Sequence, residues 1–489
     1  MSNTRSAKTG LSRRQFMLAS VAGSLSLFSL NGLLAYADTP HEAPLTEAPS
    51  STTDNVHYIN VTDDEYDQYR QPFNKRIDLK PRVIAVCLNE TGVQEAMQLA
   101  RVRQLPVAIK SGGHSLEGYC LNDGGMVIEL SRLNTMTYDP AKDRFYTGPG
   151  SKLGQVYEYL AQYGRLIPAG SCAGVGISGL TLGGGYGFFS RQFGLTCDSL
   201  IRVRVVDGHG MVHDSDQNPE LLWASRGGGN GNFGIITALE FRTHPAPAQL
   251  RSYRFQYRRL KTPSAITLAE EWFLLMKQLP ESSYSAFVLG RNGAAILIID
   301  AHDHPTPDLQ NILNRLAKRA TTVIEPHTEP LLTALRFYEG GIVPRYFKNC
   351  SAGYFSDFED LRTILSPLHR QMKAQSGTLL QINTLGGAIE NPALEETAAY
   401  PHRRFPFLGE LQAYWDDPSH EASAVETIQN LQSMLQAHGI HSHYSNYPNI
   451  GLANWQEAYY GRNYERLQAL KRKLDPEDRI HHPQSVRVA

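Results

Sequence analysis

The stretch from Leu166 to Arg191, LIPAGSCAGVGISGLTLGGGYGFFSR, constrains this chain more than any other. Each interior glycine costs a helix roughly 1 kcal/mol against alanine, so a regular helix is not expected here. What glycine offers instead is backbone that comes very close to a ligand, with bare N–H groups able to hold phosphate oxygens or the polar edge of a ring. A second glycine turn, Lys110 to Ser115 (KSGGHS), carries His114 at its tip, and the first stretch carries Cys172. Two such turns, each with one nucleophilic side chain, predict a shared large anionic or heteroaromatic cofactor.

Two segments spell G-x-G-x-x-G, at Gly174, Gly176, Gly179 and at Gly229, Gly231, Gly234. A dinucleotide-binding βαβ unit needs that pattern to follow a strand and open a long helix. The first runs into more glycine and the second into the strand-like IITALEF, so a nicotinamide-binding domain is excluded. Taken alone, His114 reads as a polar loop histidine and Cys172 as a thiol or metal ligand, but no second ligand stands at metal spacing near Cys172. His441 and His443 alternate, and His481 and His482 are adjacent; these read as surface histidines, and no metal site is expected.

A chain of 489 residues with 41% hydrophobic content has material for two or three domains. Lysine and arginine number 47 against 48 aspartate and glutamate, so nucleic acid and acidic membrane surfaces are not expected partners. Ser12-Arg13-Arg14-Gln15-Phe16, then an apolar run from Met17 to about Ala35 and an Ala35-Tyr36-Ala37 cleavage site, reads as a twin-arginine signal over residues 1–37. The run is interrupted by Ser20, Ser24, Ser26, Ser29 and Asn31, which argues against a membrane anchor. Export in the folded state suits a cofactor loaded in the cytoplasm, and predicts a periplasmic or secreted protein. Five cysteines leave at least one unpaired; Cys172 is the reactive candidate, and Cys87, within VIAVC, reads as a buried thiol.

Residues 38–60 are read as a linker, rich in Pro, Thr, Ser and Glu from His41 to Asn55. From Arg82 the pattern runs strand (RVIAVCL), helix from Thr91, strand (PVAIK), and then the KSGGHS turn at a strand end. A strand at 126–130, a helix at 153–163 and a hairpin turning at Asp207-Gly208 follow. Composition shifts at Pro245, which closes a first domain over 61–245. Residues 246–438 read as strands at 251–257, 285–289, 294–299, 378–385 and 408–415, with helices at 266–279, 308–319, 360–372 and 421–436. Gln381, Asn383, Glu410 and Gln412 alternate along two of these strands, and are candidate substrate-binding groups.

Lys-Ser-Gly-Gly-His-Ser together with Gly-x-Cys-x-x-Val-Gly and the Gly-Gly-Gly-x-Gly run resembles the berberine-bridge-enzyme-like flavoproteins, within the larger vanillyl-alcohol-oxidase-type group. The resemblance covers nearly the whole mature chain. It implies an α+β fold: a two-part FAD-binding domain completed by a C-terminal segment over 439–489, plus an α/β substrate domain whose sheet covers the flavin. It also implies one FAD bonded at its 8α-methyl to His114 and at C6 to Cys172. Ser111, Gly112, Gly113, Ser115, Gly176, Gly179, Gly183, Gly184, Gly187, Gly234 and Ile235 would contact the flavin through the two turns and the RGGGNGNFG run. Asn446 and Tyr447 fall on the family's Tyr-x-Asn-Tyr motif.

By this resemblance the chain is an FAD-linked oxidase. It would oxidise a carbohydrate or another alcohol by hydride transfer to flavin N5, with Tyr447 as base, and pass electrons to oxygen to give hydrogen peroxide. A phenol titrates near 10 unperturbed, so Tyr447 would need a nearby cation or hydrogen bond to act at neutral pH. Val175 stands where the family's oxidases carry valine, and a bulkier leucine would shield the flavin from oxygen. The chain departs from the family at Leu116, a tyrosine in the carbohydrate oxidases, at Asp478, commonly asparagine, and at Ile480, commonly phenylalanine. Other readings are oxidation or cyclisation of a secondary metabolite, a flavin-dependent dehydrogenase, and a periplasmic flavin- or ligand-binding protein without catalysis.

Overall fold

The computed structural model describes residues 53–302, 304–340 and 343–488. The expected export signal and all but the end of the expected linker lie outside these residues.

The apolar run Val83–Cys87 (β2) is buried along its whole length, as a strand covered on both faces must be. It lies in a four-stranded sheet with Val56–Asn60 (β1), Val107–Lys110 (β3) and Met126–Glu129 (β4), in the order β1-β2-β4-β3. β2, β4 and β3 run parallel and β1 antiparallel. Helix Glu90–Val102 starts where the Asn89 side chain accepts the Gly92 N–H at 3.0 Å, and turns Val93, Ala96, Met97 and Ala100 onto this sheet. β1 corrects the linker reading: Val56 and Ile59 are fully buried, and the polar composition that marks the linker ends before them. Because β3 is parallel to its neighbour, the Lys110 turn leaves the sheet at one end. Lys110 anchors it, pairing with Glu129 at 2.8 Å and donating to the Tyr69 carbonyl at 2.5 Å.

A second, antiparallel sheet holds Met136–Asp139 (β5), Arg144–Thr147 (β6), Leu200–Val206 (β8), Val212–Asp214 (β9) and Ile235–Arg242 (β10), in the order β5-β6-β10-β8-β9. The expected hairpin at Asp207 forms as β8 and β9. A short ribbon joins Arg165–Leu166 (β7) to His244–Pro245 (β11). Helix Leu153–Ala161 packs Val156, Tyr157 and Leu160 into the same core as Trp223 and Phe241. Within the glycine-rich stretch, Ile177–Leu182 does form a helix, which the glycine count argued against. Only Gly179 falls inside its six residues, so the penalty is a single one.

The third sheet is the largest. Gln249–Arg258 (β12), Ser283–Gly290 (β13), Gly293–Asp300 (β14), Thr322–Pro330 (β15), Tyr346–Phe355 (β16), Thr378–Thr384 (β17) and Phe407–Trp415 (β18) pair antiparallel in the order β15-β12-β14-β13-β17-β18-β16. Side chains alternate across it. Phe255, Phe287, Ile296, Ile298, Ile382 and Leu411 pack under helices Thr262–Met276, Pro307–Arg319, Leu365–Ala374 and Glu421–Ala437. Their neighbours Arg254, Ala286, Leu297, Gln381 and Glu410 face the opposite way, into a cavity. β15 and β16 have no counterpart in the sequence reading. β16 reads YFKNCSAGYF, and its Lys348, Asn349 and Ser351 are buried polar groups that hide the strand pattern.

After Ile440 the chain returns to the first two sheets. Tyr459, Tyr460, Leu467 and Leu470 join the core of the second, while Ile480 joins the core of the first and bridges to Val107. The architecture is α+β, as the sequence predicts.

Candidate functional site

The glycine turns meet each other before they meet anything else. A Cβ on Gly176 would stand 2.5 Å from Ser111 Oγ and 2.6 Å from the Gly112 nitrogen, and one on Gly112 would overlap the Gly176 backbone. Ser111 in turn donates to the Pro149 carbonyl at 2.6 Å, and Gly154 N–H and Leu153 N–H bond Ala173 and Val175. A Cβ on Gly174 would stand 2.8 Å from His114 Nε2, so the Cys172 loop lies against the His114 ring. Phe73 stacks on that ring, 4.2 Å between centroids and 14° from parallel. Burial, then the nearby Lys152, pushes the imidazole down to about 4, so it is neutral and nucleophilic at neutral pH. None of the five cysteines forms a disulfide, and burial raises the Cys87, Cys120, Cys197 and Cys350 thiols.

A cavity of about 460 Å³ separates these turns from the seven-stranded sheet. His114, Cys172, Ser111, Gly112, Gly113, Ser115, Gly176, Gly179, Gly187, Gly234 and Asn446 all line it. Three expected cofactor contacts do not. Gly183 leaves room for the Asn446 side chain, Gly184 turns at φ +117° against the Tyr400 ring, and Ile235 is fully buried in the core of the first sheet. Asn446 is a strut rather than an open donor. Its Nδ2 donates to the Leu180 carbonyl and the Tyr444 hydroxyl, each at 2.9 Å, and its Oδ1 accepts from Asn230 at 3.0 Å.

On the opposite wall Glu410 is the one carboxylate among the described lining residues. Asn349 Nδ2 donates to Oε1 at 3.2 Å and Gln412 Nε2 to Oε2 at 2.8 Å. Gln381 donates to Asn383 at 2.7 Å, and Tyr284 donates to the same Asn383 oxygen at 2.6 Å. Of the four alternating polar residues, then, Gln381, Glu410 and Gln412 reach the cavity. Asn383 is fully buried behind it and holds Gln381 and Tyr284 in place.

Tyr447 also lines the cavity, with its hydroxyl 2.7 Å from that of Tyr186. Burial, with the charge of Glu410 next and Tyr186 beside it, raises this phenol well above its ordinary value. Of the cation or hydrogen bond expected beside Tyr447, the hydrogen bond forms, to Tyr186, but the charge nearby is a carboxylate, and burial with these neighbours holds the phenol protonated. Burial raises Tyr186 in the same way.

Two of the histidines read as surface groups are interior. His443 is fully buried, and His482 stacks on Tyr119 at 4.3 Å and donates from Nε2 to the Asn230 carbonyl at 3.1 Å. The C-terminal segment buries them on different surfaces, His443 beside Gly353 of β16 and Ala458, His482 beside Tyr119 and Asn230. The sequence also hides Glu117, three residues past His114. It pairs with Arg76 at 2.5 Å and with Lys348 of β16, and accepts the Ile450 N–H at 3.1 Å. One buried carboxylate thus ties the His114 turn to the third sheet and to the returning segment.

The lining fits FAD, because the bare backbone of both glycine turns faces the cavity. Gly179 has nothing within 4 Å of where a Cβ would stand, so its cavity side is open backbone. His114 and Cys172 lie on one wall, and Glu410 and Tyr447 on the other.

Comparison with known proteins agrees with this geometry. Residues 81–216 match the family model described as "FAD binding domain", and residues 443–487 the one described as "Berberine and berberine like". An uncharacterised FAD-linked oxidoreductase of Bacillus subtilis, YgaK, is 32% identical over 88% of this chain and 96% of its own length. Aclacinomycin-N/aclacinomycin-A oxidase of Streptomyces galilaeus is 30% identical over 85% of this chain and 86% of its own. The solved glucooligosaccharide oxidase of Acremonium strictum superposes with a TM-score of 0.80 at 25% identity, over 89% of this chain and 96% of that one.

Proposed function

The chain belongs to the berberine-bridge-enzyme-like FAD-linked oxidoreductases, and from that premise we propose that it is an oxidase of a hydroxyl-bearing substrate, a carbohydrate or other alcohol, with FAD held covalently through His114 and Cys172. The observation that carries this reading is the pairing of walls across one cavity: His114 and Cys172 on glycine turns, Glu410 and Tyr447 opposite. FAD, held there by His114 and Cys172, would supply a two-electron acceptor for a hydride from the substrate carbon and a route for those electrons to dioxygen, giving hydrogen peroxide.

The chain's own part is to hold the substrate and accept its hydroxyl proton. Tyr447, kept protonated by its surroundings, is a poor base at rest. Glu410, held by Asn349 and Gln412, is the acceptor at which the proton ends. The Tyr447 hydroxyl, itself fixed by Tyr186, orients the substrate oxygen toward it. Gln381 and Gln412 present amides to further hydroxyls, and the neutral His114 ring, clamped by Phe73, is positioned as a nucleophile toward the cofactor. Val175 lines the cavity with a small side chain, which supports oxygen as electron acceptor. The twin-arginine motif at Arg13 and Arg14 supports export of the loaded, folded protein to the periplasm or beyond.

Two measurements test the reading. Anaerobic addition of sugars, oligosaccharides and aromatic alcohols to the yellow protein should bleach the visible flavin band with one class, and admitting air should restore it. No bleaching by any of them would overturn the alcohol-oxidase reading. Intact mass after denaturation should show FAD retained by the native chain; its complete release would overturn the covalent links.

A further inference from the structure

Three arginines of the described chain are almost wholly buried, each with its Nε unpartnered, and two of them are held by protein at their other guanidinium nitrogens. Arg403 makes a two-pronged pair with Asp198 at 2.6 and 3.1 Å, and Arg191 donates to the Leu385 and Leu279 carbonyls. The third is Arg254 on β12, 9% exposed, which faces the cavity. Its Nε has no hydrogen-bond partner, and among the described residues it enters no ion pair; its guanidinium instead lies 5.2 Å from the ring centroid of Phe337. A guanidinium buried without an ion pair carries a charge that is costly to hold away from water. Its open side is the cavity, where an anionic ligand would meet it.

The place of Arg254 in the sheet says how far that anion lies from the reacting end. Arg254 pairs with Leu297 of β14, Leu297 with Ala286 of β13, and Ala286 with Asn383 of β17. That is three interstrand steps, roughly 14 Å, with Glu410 one strand further on β18. Leu297 and Ala286 line the cavity between them, and the Tyr284 hydroxyl beside Ala286 is already donated to Asn383. One small ring cannot touch both ends. The glycine turns stand on the opposite wall, so Arg254 approaches from the substrate side. Arg345, the other lining arginine, is only half-buried over the Tyr414 ring at 5.3 Å, where solvent screens it.

We propose that Arg254 is a carboxylate-binding subsite, and that the substrate is an elongated acid-bearing alcohol, such as an acidic oligosaccharide, whose carboxylate docks there while its reacting hydroxyl lies at Glu410 and Tyr447. A single guanidinium in apolar surroundings matches a monoanion, and its planar fork matches the two oxygens of a carboxylate. The proposal rests on the reading of Glu410 and Tyr447 as the reacting end.

The test uses FAD-loaded protein and a matched pair of probes, trigalacturonate and its fully methyl-esterified form. Binding is read from calorimetry and from perturbation of the oxidised flavin spectrum, without turnover. The acid should bind at least tenfold more tightly than the ester at low salt. Arg254→Gln should bring the two within twofold while leaving FAD content and ester affinity unchanged, and Arg254→Lys should keep part of the preference. Equal binding of acid and ester, failure of the acid to bind, or a preference that survives Arg254→Gln would each overturn the subsite. So would loss of FAD from both variants, which would assign the arginine to the cofactor. If the acid binds through Arg254 but does not bleach the flavin, the alcohol-oxidase reading fails for this ligand and the subsite stands. If neutral xylobiose bleaches the flavin and the acid does not bind, the reverse holds.

Discussion

The wall that carries His114 and Cys172 is shaped by backbone, whereas the wall that carries Gln381, Glu410 and Gln412 is shaped by side chains on a sheet. On the first, Gly112 and Gly176 touch main chain to main chain, and any added atom collides with something that cannot rotate away. On the second, each polar group is held by another side chain, through amide and hydroxyl hydrogen bonds of 2.6–3.4 Å. A backbone wall tolerates almost no substitution and accepts a single cofactor shape. A side-chain wall can change its chemistry one residue at a time without losing the sheet.

The sharpest break of this contrast comes from glycines. Gly176→Ala should give little or no FAD-loaded protein and a lower melting temperature, because overpacking against rigid backbone costs about 1–3 kcal/mol or more. Gly179→Ala should behave differently. Its Cβ meets no protein atom, and it removes a helix-interior glycine, so the cofactor-free fold should gain up to about 1 kcal/mol. Its FAD content should nonetheless fall, since the new methyl enters the cavity. The ratio of visible flavin to protein absorbance and a thermal melt distinguish the two; unchanged FAD in Gly179→Ala would remove the cofactor from this part of the wall.

On the side-chain wall the largest expected effect is that of Glu410→Gln. The amide keeps the size of the group but cannot take a proton, so kcat should fall by about 10²–10⁴-fold with FAD content unchanged. A loss smaller than tenfold would take Glu410 out of the reaction.

This difference between walls also explains what the sequence discloses. Gly-Gly-His and Gly-x-Cys-x-x-Val-Gly are legible because backbone walls leave glycine as their trace, and glycine in such density has few other uses. Gly183 and Gly184 misled for the same reason: they serve the packing of Asn446 and Tyr400, and a sequence does not say which neighbour a glycine admits. The sheet wall leaves only alternation, so Gln381 and Glu410 could be found, but not that Asn383 lies behind them. β16 was hidden because Lys348 inside a strand looks like a surface residue until Glu117 and Asn449 are seen to bury it. The shift of Tyr447 upward follows from burial beside a carboxylate 37 residues away, which local sequence cannot express.

Behind the sheet wall, His402 and His443 are buried beside each other, and burial pushes them down to about 3 and about 4. Their unfolded counterparts titrate near 6.5. Below that value the unfolded chain binds protons that the native chain refuses, so stability is complete above about pH 6.5 and falls as pH drops toward 4. Each histidine contributes a slope of about 1.4 kcal/mol per pH unit over that window. Urea unfolding at pH 7.5 and pH 5 should therefore show a loss of a few kcal/mol, and His443→Leu should make the dependence shallower by about 1.4 kcal/mol per pH unit. An unchanged slope in that variant would move the acid sensitivity to other groups.

The smallest expected effect bears on how the two walls share the proton. If Tyr447 were the base, Tyr447→Phe would cost as much as Glu410→Gln, because nothing else on its ring can accept a proton. If the phenol only orients the substrate oxygen, the variant loses one hydrogen bond to substrate and the 2.7 Å contact with Tyr186, a net change of about 0.5–1.5 kcal/mol. That corresponds to a drop in kcat/KM of roughly tenfold or less. The raised phenol favours the second outcome, since ionising Tyr447 beside Glu410 would place two negative charges in one buried pocket. A stopped-flow measurement of flavin reduction in the two variants, with the same substrate and at the same pH, reads this directly. Comparable losses in both would return the base to Tyr447, and a loss at Glu410 at least tenfold greater would leave the tyrosine as the group that aims the hydroxyl.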